Sequence, residues 1–193
     1  MEVTKHGYHI MTAKLLDSDE CKKIIDFIED NIDEFKTNKP RKGYNTNTIG
    51  KNLSDMTDNK DFKEIDDLIF KAVSKSINIF IRNETISRYL LENIADSGYE
   101  LRKVIGPTRK HTDGPEINAL VNCIRLRVAT LVISLAGTGD TLEFPDLDIS
   151  IPLEEGTFVF FPPYWTHAHE SIWSGVDSYR IQTWITNDQP IKK

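Results

Sequence analysis

His111-Thr112-Asp113 sets an imidazole and a carboxylate two residues apart. On an extended backbone successive side chains alternate faces, so these two groups point the same way and make half of a facial metal site. A second histidine from elsewhere completes two imidazoles and one carboxylate, leaving coordination positions open for substrate and oxygen. Three residues of this kind are also how ordinary polar surface reads, so the triplet gains its weight from the residues downstream of it. These are a strand pattern, then Trp165-Thr166-His167-Ala168-His169, then Arg180. His167 and His169 are themselves two apart, and on a strand both face the same way.

The chain that must position these groups has 193 residues, enough for one domain with a full hydrophobic core. With 39% hydrophobic and 28% charged residues, its composition is that of a folded globular protein rather than a disordered one. The net charge of -6 argues against nucleic acid as a partner. No apolar run is long enough to cross a bilayer, and the first residues lack the apolar core of a secretion signal, so no membrane association is expected. Cys21 and Cys123 form no metal or redox motif and are expected to be reduced, which points to the cytoplasm.

Residues 8–16 read as a short strand. Asp17-Ser18-Asp19-Glu20 then reads as a helix start, with a polar cap followed by acids that suit the positive end of the helix dipole. Ile24, Phe27, Ile28, Ile32 and Phe35 continue it at helical spacing. Residues 37–58 turn polar and read as a loop with one strand within 44–53, the first candidate for a lid. A second helix is predicted over 61–83 and a shorter helical piece over 85–94. From Gly98 the pattern changes to short β-rich runs at 99–105, 124–135, 148–151, 157–161 and 178–185, separated by Gly and Pro turns. The expectation is one domain over 1–193, with a helical support region at 1–97 and a β core at 98–185.

The order of the motifs in that β region resembles the prolyl 4-hydroxylase-like branch of the iron(II)/2-oxoglutarate-dependent dioxygenases. There a strand of the type L-x-V-x-R-Y leads into H-x-D. R-V-A-T, G-G-E-T-x-F-P, a Pro-to-Gly turn, a distal His, a basic residue and a Trp come after it. The matching pieces are Leu101-Arg102-Lys103-Val104, His111-Thr112-Asp113, Arg127-Val128-Ala129-Thr130 and Gly139-Asp140-Thr141-Leu142-Glu143-Phe144-Pro145, then Pro152 to Gly156 and Tyr179 to Trp184. No single piece is specific; their shared order is. The resemblance implies a mainly β fold with N-terminal helices (α+β), a double-stranded β-helix or jelly roll.

The resemblance further implies iron(II) held by His111, Asp113 and a distal histidine. His169 is favoured because Tyr179 and Trp184 then come after it without a gap, and His167 is the alternative. It implies 2-oxoglutarate and molecular oxygen as co-substrates, with ascorbate as an accessory reductant, and no catalytic side chain beyond the metal ligands. Where that family has its basic residue this chain has Ser178, and Arg180 comes two later, on the same face of a strand. Arg180 is therefore the expected anchor for the far carboxylate of 2-oxoglutarate, since its planar fork pairs both oxygens. Arg127 and Thr130 are further cofactor-binding candidates. The tyrosine expected before H-x-D is missing, and Thr130, Arg125 or Tyr99 stand as substitutes. The implied activity is hydroxylation of a prolyl residue in a peptide or protein, with decarboxylation of 2-oxoglutarate to succinate. Hydroxylation of a free amino acid or small metabolite is the enzymatic alternative, and a non-catalytic jelly-roll metal-binding module the other. Oligomeric state is not written in the sequence.

Overall fold

The computed structural model describes residues 2–36, 47–83, 94–114, 116–118 and 123–190. The chain opens on a hairpin, β1 (Val3–Gly7) and β2 (Ile10–Lys14). Helix α1 (Ser18–Asp30) comes next, and its start is fixed by a capping box. The Asp17 side chain accepts from the Glu20 backbone while Glu20 reaches back to the Asp17 backbone. Cys21, Ile24, Phe27 and Ile28 form its buried face. The sequence pattern predicts one helix through Phe35, but the helix stops at Asn31 and resumes as α2 (Ile32–Lys36). The Asn31 side chain donates to the Phe27 carbonyl at 2.8 Å and accepts from Asn59, so a side chain competes with the helical ladder at that point.

After α2 come β3 (Thr48–Asn52), a 3-10 turn at Leu53–Met56 and α3 (Phe62–Asn83). The next strands are β4 (Ile94–Asp96), β5 (Glu100–Val104), β6 (Glu116–Asn118), β7 (Cys123–Ser134) and β8 (Thr141–Phe144). They continue as β9 (Ile149–Pro152), β10 (Thr157–Phe161), β11 (Glu170–Ile172) and β12 (Ser178–Pro190). All pairings are antiparallel. A nine-stranded sheet runs β1-β2-β10-β7-β12-β5-β3, with β4 on β12 and β6 on β7, and faces a three-stranded sheet β11-β8-β9. This is the jelly-roll arrangement the motif order implies, with helices on one face. The three-residue strands β4, β6 and β11 carry too little alternation to read from sequence, whereas the long β7 and β12 stand out.

The two faces of the large sheet differ. Leu131, Ile133, Phe158, Phe160, Ile181 and Ile185 point at the helices and join Ile24, Ile28, Ile69 and Val73 in one apolar core. Phe80 of α3 stacks on Phe160, ring centroids 4.1 Å apart. The opposite face carries Thr130, Val132, Val159, Phe161, Arg180, Gln182 and Trp184, and toward the small sheet it meets Leu142, Phe144, Ile151 and Leu153. That inner face positions the candidate site. The 1–97 region supplies β1, β2, β3 and β4 to the large sheet in addition to its helices. Gly156 is required where the chains cross. It sits at φ +70°, and a Cβ there would lie 2.1 Å from the Leu16 carbonyl oxygen. Among the described residues no helix is long and apolar enough to cross a membrane.

Candidate metal centre

The two histidines arrive from opposite sides of one backbone bridge. His111 and His169 exchange both main-chain hydrogen bonds, each 2.9 Å, as a directly opposed antiparallel pair. Their side chains therefore share a face, with ring centroids 4.5 Å apart. Asp113 lies two residues after His111. Its loop is fixed where the Gly114 N–H donates to the Pro163 carbonyl at 2.8 Å and Arg127 donates to the Asp113 carbonyl at 2.9 Å. The Arg127 guanidinium lies over the Trp184 ring, 3.8 Å from its centroid.

Hydrogen bonds behind the imidazoles decide which nitrogens face the carboxylate. His111 Nδ1 donates to the Arg109 carbonyl at 2.8 Å, and His169 Nδ1 donates to the His167 carbonyl at 3.0 Å. A carbonyl only accepts, so each Nδ1 carries a proton, and in the neutral ring Nε2 is the nitrogen with the lone pair. Those Nε2 atoms stand 3.7 Å and 3.8 Å from the two Asp113 carboxylate oxygens. One ligand atom from each of the three residues falls within 4.8 Å of the others. Thr130 donates its hydroxyl to Asp113 Oδ2 at 2.6 Å, fixing the carboxylate from behind. The Asp113 and His169 side chains are buried, while that of His111 is 44% exposed, so the cluster opens to solvent on one side. Burial holds the His169 imidazole below its ordinary pKa, outweighing Asp113, and favours the neutral, ligating form. Two imidazoles and one carboxylate with an open side fit a divalent transition metal, iron(II) among them.

His167 is placed differently. The segment is not a continuous strand but a 3-10 turn, Trp165–His167, and that turn swings His167 away from the cluster. Its Nε2 donates to the Tyr8 carbonyl at 2.7 Å and its Nδ1 accepts from the Thr166 hydroxyl at 2.8 Å, so both ring nitrogens are occupied. Equal side-chain direction for His167 and His169 therefore fails because the two-residue alternation of a strand does not apply.

Arg180 lies on the inner face, four residues before Trp184, and Trp184 stands opposite Thr130. Arg180 is buried and donates from Nη2 to Asp140 Oδ2 at 2.6 Å. Asp140 also accepts from the Ser178 hydroxyl at 2.6 Å and the Ser174 N–H at 2.8 Å. Burial alone would raise the Asp140 carboxyl pKa, but its bonds from Ser178, Ser174 and Arg180 outweigh that and hold it below the usual range. Sequence reasoning misses Asp140 as a site residue; its one signal is an acid inside the Gly139–Pro145 motif block. Tyr99 is not at the site: its hydroxyl donates to Asp96 at 3.0 Å within the helix-side core. Arg125 lies outside the described side chains, and residues 37–46 and 85–93 outside the described residues, which leaves the lid candidate represented only by β3 and the turn after it. Trp173 donates to the Val176 carbonyl, and Trp165 is 81% exposed.

This fold, a jelly roll with helices behind the large sheet, is shared with solved prolyl hydroxylase structures. Three solved structures carry the comparison. A viral collagen prolyl hydroxylase from Paramecium bursaria Chlorella virus-1, in complex with 2-oxoglutarate, superposes with a TM-score of 0.65 at 19% identity. That match covers 96% of this chain and 98% of the other. A Trichoplax adhaerens prolyl hydroxylase, in complex with a hypoxia-inducible-factor degradation-domain peptide fragment, gives 0.63 at 14% identity over 93% and 84%. A Pseudomonas putida prolyl-4-hydroxylase gives 0.57 at 14% identity over 94% of both chains. No protein-family model and no curated protein sequence matches the chain.

Proposed function

We propose that this protein is an iron(II)/2-oxoglutarate-dependent dioxygenase that hydroxylates a prolyl residue in a peptide or protein. The observation that carries the reading is the convergence of two Nε2 atoms on one carboxylate, 3.7 and 3.8 Å away, with both Nδ1 protons tied to main-chain carbonyls. His111, Asp113 and His169 hold the metal. With 2-oxoglutarate and oxygen, the bound iron supplies the oxidising power for hydroxylation, and succinate and carbon dioxide are the by-products. Arg180 receives the far carboxylate of 2-oxoglutarate through its Nε, since its Nη2 is bonded to Asp140. Thr130 holds Asp113 in its ligating orientation, and Arg127 fixes the loop carrying Asp113 through its carbonyl. Phe144 and Phe161 pack against His169 and keep water from the buried side. The exposed edge of His111 is where substrate approaches.

The prolyl and peptide parts of the reading draw on fold neighbours whose structures hold 2-oxoglutarate in one case and a peptide fragment in another. The test is succinate formation from 2-oxoglutarate with iron(II), oxygen and ascorbate, with and without proline-containing peptides. Peptide-stimulated succinate together with a peptide mass gain of one oxygen is the expected result. Succinate stimulated by a free amino acid but by no peptide would move the substrate to a small molecule. Metal binding with no turnover of 2-oxoglutarate would reduce the protein to a metal-binding module.

A further inference from the structure

The arginine end of the inner face is already occupied by a charge of the chain's own. Arg180 is 7% exposed and Asp140 1% exposed, so the pair is closed off from water. Asp140 is held by more than Arg180, because the Ser174 N–H donates to Oδ1 and the Ser178 hydroxyl shares Oδ2 with the guanidinium. Arg180 offers a side-on fork made by Nε and Nη2. Nη2 is taken by Asp140, while Nε is buried with no hydrogen-bond partner. A buried guanidinium N–H without an acceptor is costly and marks a place where a ligand oxygen belongs. An anion arriving there is attracted by Arg180 and repelled by Asp140, so part of the charge attraction cancels while the Nε hydrogen bond remains.

We propose that Asp140 is a specificity-determining residue for the cosubstrate: it pre-neutralises Arg180, so that the far carboxylate of 2-oxoglutarate adds little to binding. This rests on the reading of the site as a 2-oxoglutarate site. The cosubstrate is then held mainly by its 2-oxo acid head at the metal, and a 2-oxo acid without a far carboxylate competes with it effectively.

The experiment is calorimetric titration of the Mn(II)-loaded protein with 2-oxoglutarate and, separately, with 2-oxobutyrate, which keeps the head and lacks the far carboxylate. Wild type should bind the two with affinities within about ten-fold of each other. Asp140→Asn removes the charge and keeps an acceptor for Ser174. It should tighten 2-oxoglutarate by roughly ten-fold or more and leave 2-oxobutyrate within about two-fold. Ser178→Ala, which keeps the carboxylate, should leave the ratio of the two affinities unchanged. Should Asp140→Asn misfold, Asp140→Ser must show the same ordering. A 2-oxoglutarate affinity in the Asp140 variants that is unchanged or weaker, with 2-oxobutyrate unaltered, would make Asp140 a support for Arg180 and overturn the inference alone. A wild type that binds Mn(II) but neither oxo acid would overturn the cosubstrate reading and the inference with it.

Discussion

The two ends of the inner face hold their charges in opposite ways. At the metal end, the Asp113 carboxylate is steadied by a neutral hydroxyl from Thr130 and looks across at two Nε2 lone pairs. All three groups are acceptors, gathered on one side of the bridge between His111 and His169. At the arginine end, the Asp140 carboxylate is bonded directly to the Arg180 guanidinium, and both side chains are buried. The first arrangement is incomplete without a cation; the second carries its own. The same residue type, aspartate, therefore joins a candidate metal cluster in one place and an ion pair in the other, according to the partner the fold brings to it.

The sharpest way to break the contrast is at the metal end. Asp113→Ala and, separately, His169→Ala should each abolish stoichiometric iron(II) binding, measured by elemental analysis of the loaded protein. The far-ultraviolet circular dichroism should stay that of wild type, because the larger apolar core lies on the other face of the sheet. Retained stoichiometry in either variant would remove that residue from the ligand set.

Arg180→Ala probes the other end. It removes the donor proposed for the cosubstrate and strands Asp140 as a buried carboxylate with its guanidinium gone. Breaking a buried pair by deleting one partner costs about 3–5 kcal/mol. At about 2–4 °C per kcal/mol for a chain of this size, the melting temperature should fall by at least roughly 6 °C. The unmasked Asp140 charge then repels the far carboxylate, so binding of 2-oxoglutarate should weaken by about ten-fold and that of 2-oxobutyrate by less, and metal stoichiometry should hold. Arg180→Ala combined with Asp140→Ala should recover much of the lost stability. If the double variant melts lower than Arg180→Ala alone, the two side chains do not act as a pair. Thr130→Val is gentler. It keeps the volume and removes the hydroxyl behind Asp113, and loss of such an outer contact weakens metal binding by about 10–100-fold. Unchanged metal affinity would show that Asp113 needs no support from β7.

Much of the fold and of the metal end is legible in the sequence. The Asp17–Glu20 helix start, the long strands and the order of motifs are local signals, and local signals survive in a sequence. H-x-D spacing belongs with them, since two residues on extended backbone fix a shared direction. The features that escape are non-local. Nothing near Arg180 in sequence announces Asp140, 40 residues upstream, as its partner. The helix break at Asn31 depends on Asn59, 28 residues away. Tyr99 is a plausible site tyrosine by position, yet its hydroxyl is claimed by Asp96 on the helix side. In sequence only motif register distinguishes His167 from His169; in space a 3-10 turn separates them.

The smallest expected effect belongs to His167→Ala, and it is the control that gives the His169 result its meaning. His167 meets the site through its main chain, where its carbonyl accepts from His169 Nδ1, and through an edge contact of its ring with Phe144; alanine keeps that carbonyl. Metal stoichiometry should therefore be that of wild type. The side chain does something else: its Nε2 holds the Tyr8 carbonyl at 2.7 Å, at the tip of the β1–β2 hairpin. Tyr8 and His9 both sit at positive φ, 48° and 63°, without glycine, a strained turn that persists only where surrounding contacts hold it. Losing one hydrogen bond costs about 0.5–1.5 kcal/mol, which corresponds to a melting temperature lower by roughly 1–6 °C. Hydrogen exchange should quicken at the backbone amides of the hairpin turn and not at the His111–His169 bridge. Loss of metal in His167→Ala with the bridge amides still protected would put His167 back among the ligands and take the meaning out of the comparison with His169.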